Sequence, residues 1–166
     1  MSSKRGTVLK STPVKVIAQN KKARHDYEIL DAYEAGLVLT GTEIKSIREG
    51  RIQLKDGYVR IKDGEAFLHD IYIGPYPNAG PFNHDPHRPR KLLLHKREIS
   101  RFYGKLQEKG LALVPLRVYL KQGRAKVELG LGKGRKKYEK RQELKKQEAR
   151  RQMAHYISAS GRRGKD

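Results

Sequence analysis

The chain has no cysteine and no tryptophan, and only three phenylalanines. Without cysteine there is no disulfide framework and no thiolate metal site, as suits a protein of a reducing cytosol. No apolar run approaches the ~20 residues that a membrane-crossing helix needs. The first residues, MSSKRGTVLKSTPVKV, are basic but lack the apolar segment of a secretory signal. A cytoplasmic protein without a membrane partner is expected. Acids are scarce as well: 18 Asp and Glu face 38 Lys and Arg in 166 residues, a net charge of +20. Self-repulsion on that scale opposes compaction, so the composition points to a polyanionic partner.

The charge is concentrated at the two ends. Residues 1–24 hold seven Lys and Arg and no acid. Residues 133–166 hold 13 Lys and Arg against four acids. The stretch between is close to balanced. Three domains are therefore expected: a disordered basic arm over 1–15, a folded domain over 16–132 and a basic tail over 133–166.

Within the folded part the signals are mostly those of strands. Tyr27–Leu30 and Leu37–Thr40 are β-prone, with Gly36 marking a bulge between them. Thr42 reads as the N-cap of a short helix over 42–49, with an incomplete capping box, and Gly50 stops it. Tyr58–Lys62 and Ala66–His69 flank Asp63-Gly64, a type I′ hairpin signal, and Ile71–Ile73 continues the second strand. Residues 74–90 hold five prolines and two glycines and read as a loop. KLLLH (91–95) is a brief apolar segment. Glu98–Lys109 has helical spacing, with Gly110 as cap. Leu111–Lys121 and Ala125–Leu131 alternate around Gln122-Gly123 as a half-buried hairpin. Hairpin-linked strands without βαβ alternation disfavour a parallel sheet. A small antiparallel barrel of the oligonucleotide-binding type suits the element list, because closure hides the sheet edges.

The tail has little with which to build a core. Ion pairs at i,i+3, such as Lys140–Glu143 and Glu148–Arg151, each contribute only about 0.2–0.5 kcal/mol, and like-charge pairs offset part of that. The tail is therefore expected to be disordered when free and helical once a polyanion neutralises it.

Catalytic signals are weak. His25-Asp26, His69-Asp70 and His84-Asp85 put histidine beside aspartate, and a basic nuclease using His84, Asp85 and His87 is one reading. Neighbours on a strand point to opposite faces, however, and no closed ligand set is visible. No metal and no cofactor are expected. GLGKGRK (130–136) lacks P-loop spacing. Its glycines suit either close backbone approach to phosphate or a flexible exit from the barrel. A ribosomal protein with basic extensions is a second alternative.

Several separate stretches, in order, resemble the SsrA-binding protein family, also called small protein B. They are QNKKARHDY (19–27), YEAGLVL (33–39), GTEIKSIREG (41–50), DGEAF (63–67), RKLLLHKR (90–97) and GKGRKKYEKR (132–141), and the likeness covers roughly residues 14–155. The resemblance implies a mainly β protein with an oligonucleotide-binding type barrel, about three short helices and a basic tail. It implies no enzyme activity. It implies binding to the tRNA-like domain of transfer-messenger RNA and its delivery to stalled ribosomes in trans-translation, with the tail as a helix in the vacant mRNA channel. Alanyl-tRNA synthetase and elongation factor Tu are implied as indirect partners.

Carried over by position, the RNA-binding candidates are Asn20, Lys21, Arg24, Glu34, Lys91, Leu93, Lys133, Gly134, Arg135 and Lys136. His25 and Tyr27 are expected near the decoding region. Glu34 is electrostatically odd beside RNA. It either accepts hydrogen bonds from base N–H groups, orients a neighbouring arginine, or is simply exposed at a strand turn. The tail candidates are Glu139, Lys140, Arg141, Lys145, Lys146, Arg150, Arg151 and Met153. The family usually shows Asp-Lys-Arg where this chain has Glu139-Lys140-Arg141. It often carries an aromatic further on, and Lys146–Arg150 has none. Met153 and Ile157 are expected to supply apolar contact instead.

Overall fold

The computed structural model describes residues 13–163, and within it the side chains of 137–139, 143 and 159–163 are left out of the description. Most of the expected N-terminal arm thus lies outside the described residues. In chain order the elements are β1 (Val14–Gln19), α1 (Lys21–Asp26), β2 (Tyr27–Leu37), α2 (Gly41–Arg48), β3 (Ile52–Gln53), β4 (Tyr58–Lys62), β5 (Glu65–His69) and β6 (Tyr72–Ile73). After a proline-rich loop follow β7 (Arg90–Leu93), α3 (Lys96–Leu106), β8 (Leu111–Lys121), β9 (Arg124–Gly134) and α4 (Lys137–Arg163).

Seven strands form one antiparallel sheet in the order β1-β8-β9-β2-β7-β5-β4, and β3 pairs with β6 separately. The sheet curls until β4 lies back against β8. Alternation does the sorting: Val118, Val127, Leu129, Val59, Leu68 and Leu92 all point into one core. Each such burial contributes about 1.5–3 kcal/mol against conformational entropy. The opposite, outer face of β8, β9 and β2 keeps its charged residues.

Both hairpins form as read. Asp63 and Gly64 have φ of 53° and 74°, and Gln122 and Gly123 have 51° and 75°, the left-handed pairs of type I′ turns. Elsewhere tertiary contacts change the reading. Strand β2 is continuous; its irregularity lies between Ile29 and Asp31, not at Gly36. Gly36 is needed for another reason: it pairs with both β9 and β7, and a Cβ there would sit 3.2 Å from Leu93 Cβ. Helix α2 is capped two residues earlier than expected. Thr40 is the N-cap and Glu43 completes the box, its carboxylate accepting from Thr40 N–H at 2.9 Å. Strand β6 is not a continuation of β5, because Asp70 has φ of 59° and turns the chain toward β3. Glu98 accepts from His95 N–H at 3.1 Å, so α3 starts at Lys96 rather than at Glu98. Its end at Leu106 leaves Gly110 in the connecting turn.

Strand β9 runs three residues beyond the expected Leu131, to Gly134. Its late glycines allow that. A Cβ on Gly132 would lie 2.8 Å from the Cβ of Tyr27, which no rotamer change relieves. Gly132→Ala is expected to cost about 1–3 kcal/mol, read as a lower midpoint in a denaturant titration. The tail is a single helix from Lys137 to Arg163, where the sequence reading has it helical only on a partner. Its described side chains are nearly all exposed.

Candidate nucleic-acid interface

The loop histidines His84 and His87 are the residues on which a nuclease reading depends. His84 Nε2 donates to Ile73 O at 2.9 Å, and His84 Nδ1 lies 2.9 Å from Thr42 Oγ1. Both ring nitrogens are thereby used in pinning the loop to α2 and β6. His87 packs its ring on Tyr72. Beneath them Glu43 and Arg90 are fully buried. Arg90 Nε donates to Glu43 Oε2 at 2.5 Å, Arg88 donates to Glu43 Oε1 at 2.5 Å, and the rest of the Arg90 fork caps the carbonyls of Ile71, Asp85 and Pro86. The proline-rich segment is therefore an anchored loop. No cluster of three or more potential metal ligands occurs among the described residues.

The positively charged outer face is built by α1, β2, β8 and β9. Asn20 starts α1. Its Oδ1 accepts from Ala23 N–H at 3.0 Å, and its Nδ2 donates to Leu54 O and Pro115 O at 3.1 and 2.9 Å. With 4% exposure and its amide fully used, Asn20 holds α1 on the sheet and turns no polar atom outward. Its substitution would disturb α1 itself. Arg24 and Lys21 are exposed on that short helix, and Lys22 pairs with Asp56.

Glu34, Glu128 and Arg117 face one another across β2, β9 and β8. Arg117 Nε donates to Glu128 Oε2 at 2.7 Å, and Arg24 reaches Glu128 Oε1 at 3.6 Å. The Tyr119 hydroxyl donates to Glu34 Oε2, Lys121 Nζ lies 3.5 Å from Glu34 Oε1, and the Arg117 guanidinium sits 4.9 Å from the Tyr119 ring centre. Hydrogen bonding from Tyr119 holds the Glu34 carboxyl below its usual range, with burial opposing and Lys121 assisting. Burial, then the same bond, holds the Tyr119 phenol well above its usual range. Glu34 is thus a fixed acceptor within a cationic field. The sequence singled out Glu34 and Arg24 but not Arg117, Tyr119 or Glu128. The alternation along β8 and β9 was there to show that they share a face.

The other candidates fall into two groups. Lys91 pairs with Glu65 at 3.0 Å on β7 and β5, beside Leu93, which is 57% exposed. His25, Tyr27, Lys133, Gly134 and Arg135 gather where β9 ends. Gly134 N–H donates to Gly110 O and Arg135 N–H to Asp26 O, both at 2.9 Å. The Asp26 carboxylate takes His25 Nδ1 at 3.1 Å and Lys140 Nζ at 3.4 Å. Burial works against its charge, yet those two bonds keep its carboxyl below the usual range. Lys136 is exposed as β9 passes into α4.

Along α4, Arg141, Lys145, Lys146, Arg150, Arg151 and Met153 are exposed, and the side chain of Glu139 lies outside the described residues. Tyr156 is 72% exposed and shares a helical face with Met153. The sequence reading, which sought an aromatic only over Lys146–Arg150, passed over it.

Fold and face together define an antiparallel β domain with a cationic outer surface and a long cationic helix. The family model for SmpB protein matches residues 17–159. An SsrA-binding protein of Desulforudis audaxviator is 58% identical over 142 residues, covering 86% of this chain and 93% of that protein. That of Enterococcus faecalis is 57% identical over 148 residues, covering 89% and 96%. A solved chain, described as "tmRNA-SmpB: a journey to the center of the bacterial ribosome", is 52% identical, with a TM-score of 0.62 and coverage of 81% of this chain and 94% of its own. The chain belongs to the SsrA-binding protein family.

Proposed function

We propose that this chain binds transfer-messenger RNA and brings it to stalled bacterial ribosomes in the cytoplasm, so that incomplete proteins are tagged and the ribosome is released. Family membership and the names of its relatives support this reading. The observation that carries it is the outer face of β2, β8 and β9, where Arg24 and Arg117 pair with Glu128 and Lys121 lies beside the Tyr119-anchored Glu34. Shape-selective contact with a folded RNA arm uses this kind of surface: cations for the backbone, and a fixed carboxylate for base N–H groups. The curled sheet is the oligonucleotide-binding type barrel of the division into arm, barrel and tail. Lys91 and Leu93 extend the RNA surface, and Lys21, Lys133, Gly134, Arg135 and Lys136 border it, with His25 and Tyr27 turned to the decoding region.

The tail plays a separate part. A cationic helix and an mRNA cannot share one phosphate-lined channel, so α4 tests whether that channel is empty. Its solvated surface gives it little stability of its own, and phosphates supply the neutralisation that favours the helix. Alanyl-tRNA synthetase and elongation factor Tu act on the same RNA and meet this protein indirectly. No step makes or breaks a covalent bond on the protein.

Glu34→Ala tests the barrel surface. Removing a charged acceptor is expected to weaken binding of the tRNA-like domain on the order of tenfold in filter binding at fixed salt. Unchanged affinity would take this face out of the interface.

A further inference from the structure

Arg24, Arg117 and Glu128 form a second arrangement on the outer face. They line a recess of about 430 Å³ with Gln19 and Leu116. Each guanidinium uses one nitrogen on the same carboxylate, Arg117 through Nε and Arg24 through a terminal nitrogen. An arginine fork has five N–H donors, so most remain available to a ligand. Two guanidiniums against one carboxylate leave the recess cationic. The Tyr119 ring lies against the Arg117 guanidinium, and its hydroxyl is tied to Glu34. Arg117 is therefore held between an aromatic ring and the Glu128 carboxylate.

We infer that this recess takes a phosphate of the RNA backbone, that Arg117 is a contact residue beside Arg24, and that Glu128 is a positioning residue that aims both arginines. The ligand class follows from charge and from the planar donors, which suit a phosphate's oxygens. The inference rests on the proposed RNA binding and specifies where one phosphate sits.

Glu128 gives the discriminating test, because charge and position predict opposite results. As a mere negative charge near RNA, it weakens binding, and its loss strengthens it. As the group that aims two arginines, its loss weakens binding although the protein becomes more positive. Full-length Glu128→Gln is expected to bind the tRNA-like domain several-fold more weakly. Arg117→Gln is expected to lose on the order of tenfold and to reduce the slope of log affinity against log salt by about one. Glu108→Gln, which removes an exposed carboxylate that pairs with Lys105 just past α3, is the charge control and is expected to bind as well as the parent or slightly better.

Equal or tighter binding by Glu128→Gln, or an unchanged salt slope in Arg117→Gln, overturns the recess. If Glu34→Ala weakens binding at the same time, only the recess falls. If the parent protein does not bind the RNA at all, the proposed function falls with it. A circular dichroism melt of each variant separates lost fold from lost contact: a lowered midpoint that accounts for the weaker binding counts against the positioning role.

Discussion

Glu43→Gln is expected to destabilise the folded domain by about 3–5 kcal/mol, because it leaves Arg90 buried and charged without its counter-ion. In a chain of this size that is a fall of roughly 6–20 °C in the thermal midpoint. The cause lies in how the loop between β6 and β7 is held. Arg90 spends its fork on Glu43 and on the carbonyls of Ile71, Asp85 and Pro86, so one cation satisfies a segment that has few backbone bonds of its own. Acid should act on the same point. Burial disfavours the Glu43 charge, but Thr40 N–H, Arg88 and Arg90 outweigh it and hold its carboxyl below the usual range. A depressed carboxyl contributes stability above its unfolded value, about 4.3, and loses it as pH falls through the folded value. Parent stability measured in denaturant should therefore fall with pH over that interval, and the fall should be shallower in Glu43→Gln. A variant as stable as the parent would show that the buried pair is dispensable.

The second large effect concerns the tail. Ending the chain after Lys136 is expected to leave binding of the tRNA-like domain within a few-fold of the parent and to abolish tagging in a reconstituted stalled-ribosome assay. The cut has to fall there and not after Lys133. Gly134 still pairs with Tyr27 and Gly110, and Arg135 N–H holds Asp26 O, so an earlier end would fray β9 and blur the comparison. The excised 137–163 peptide should be weakly helical in dilute buffer and gain helix on adding a polyanion, as followed by circular dichroism. Loss of RNA binding and of tagging together would show that barrel and tail do not divide the work. Glu139-Lys140-Arg141 is the next place to substitute, although Lys140 also meets Asp26, so its loss touches the junction with α1.

Local chemistry made part of this protein readable in advance. The I′ hairpins needed only Asp63-Gly64 and Gln122-Gly123. The amphipathic spacing of Ile99 and Phe102 found α3 without its ends. Thr40 and Glu43 were a complete capping box, but a second threonine two residues later drew the cap to itself. Glu34 and Arg24 could be named, while their partners could not, since Arg117, Tyr119 and Glu128 meet them only through strand register. Asn20 serves as an internal clamp that no local signal showed, because its partners Leu54 and Pro115 come from distant parts of the chain.

By itself the sequence determined the cationic balance, the antiparallel character, the polar tail and the family, since composition, alternation and local motifs are all properties of neighbours along the chain. Tertiary structure alone decided that Glu43 and Arg90 are buried together, that β6 leaves β5 for β3, and which side chains share the outer face. Those outcomes depend on the register and curl of the sheet, which bring together residues far apart in the chain.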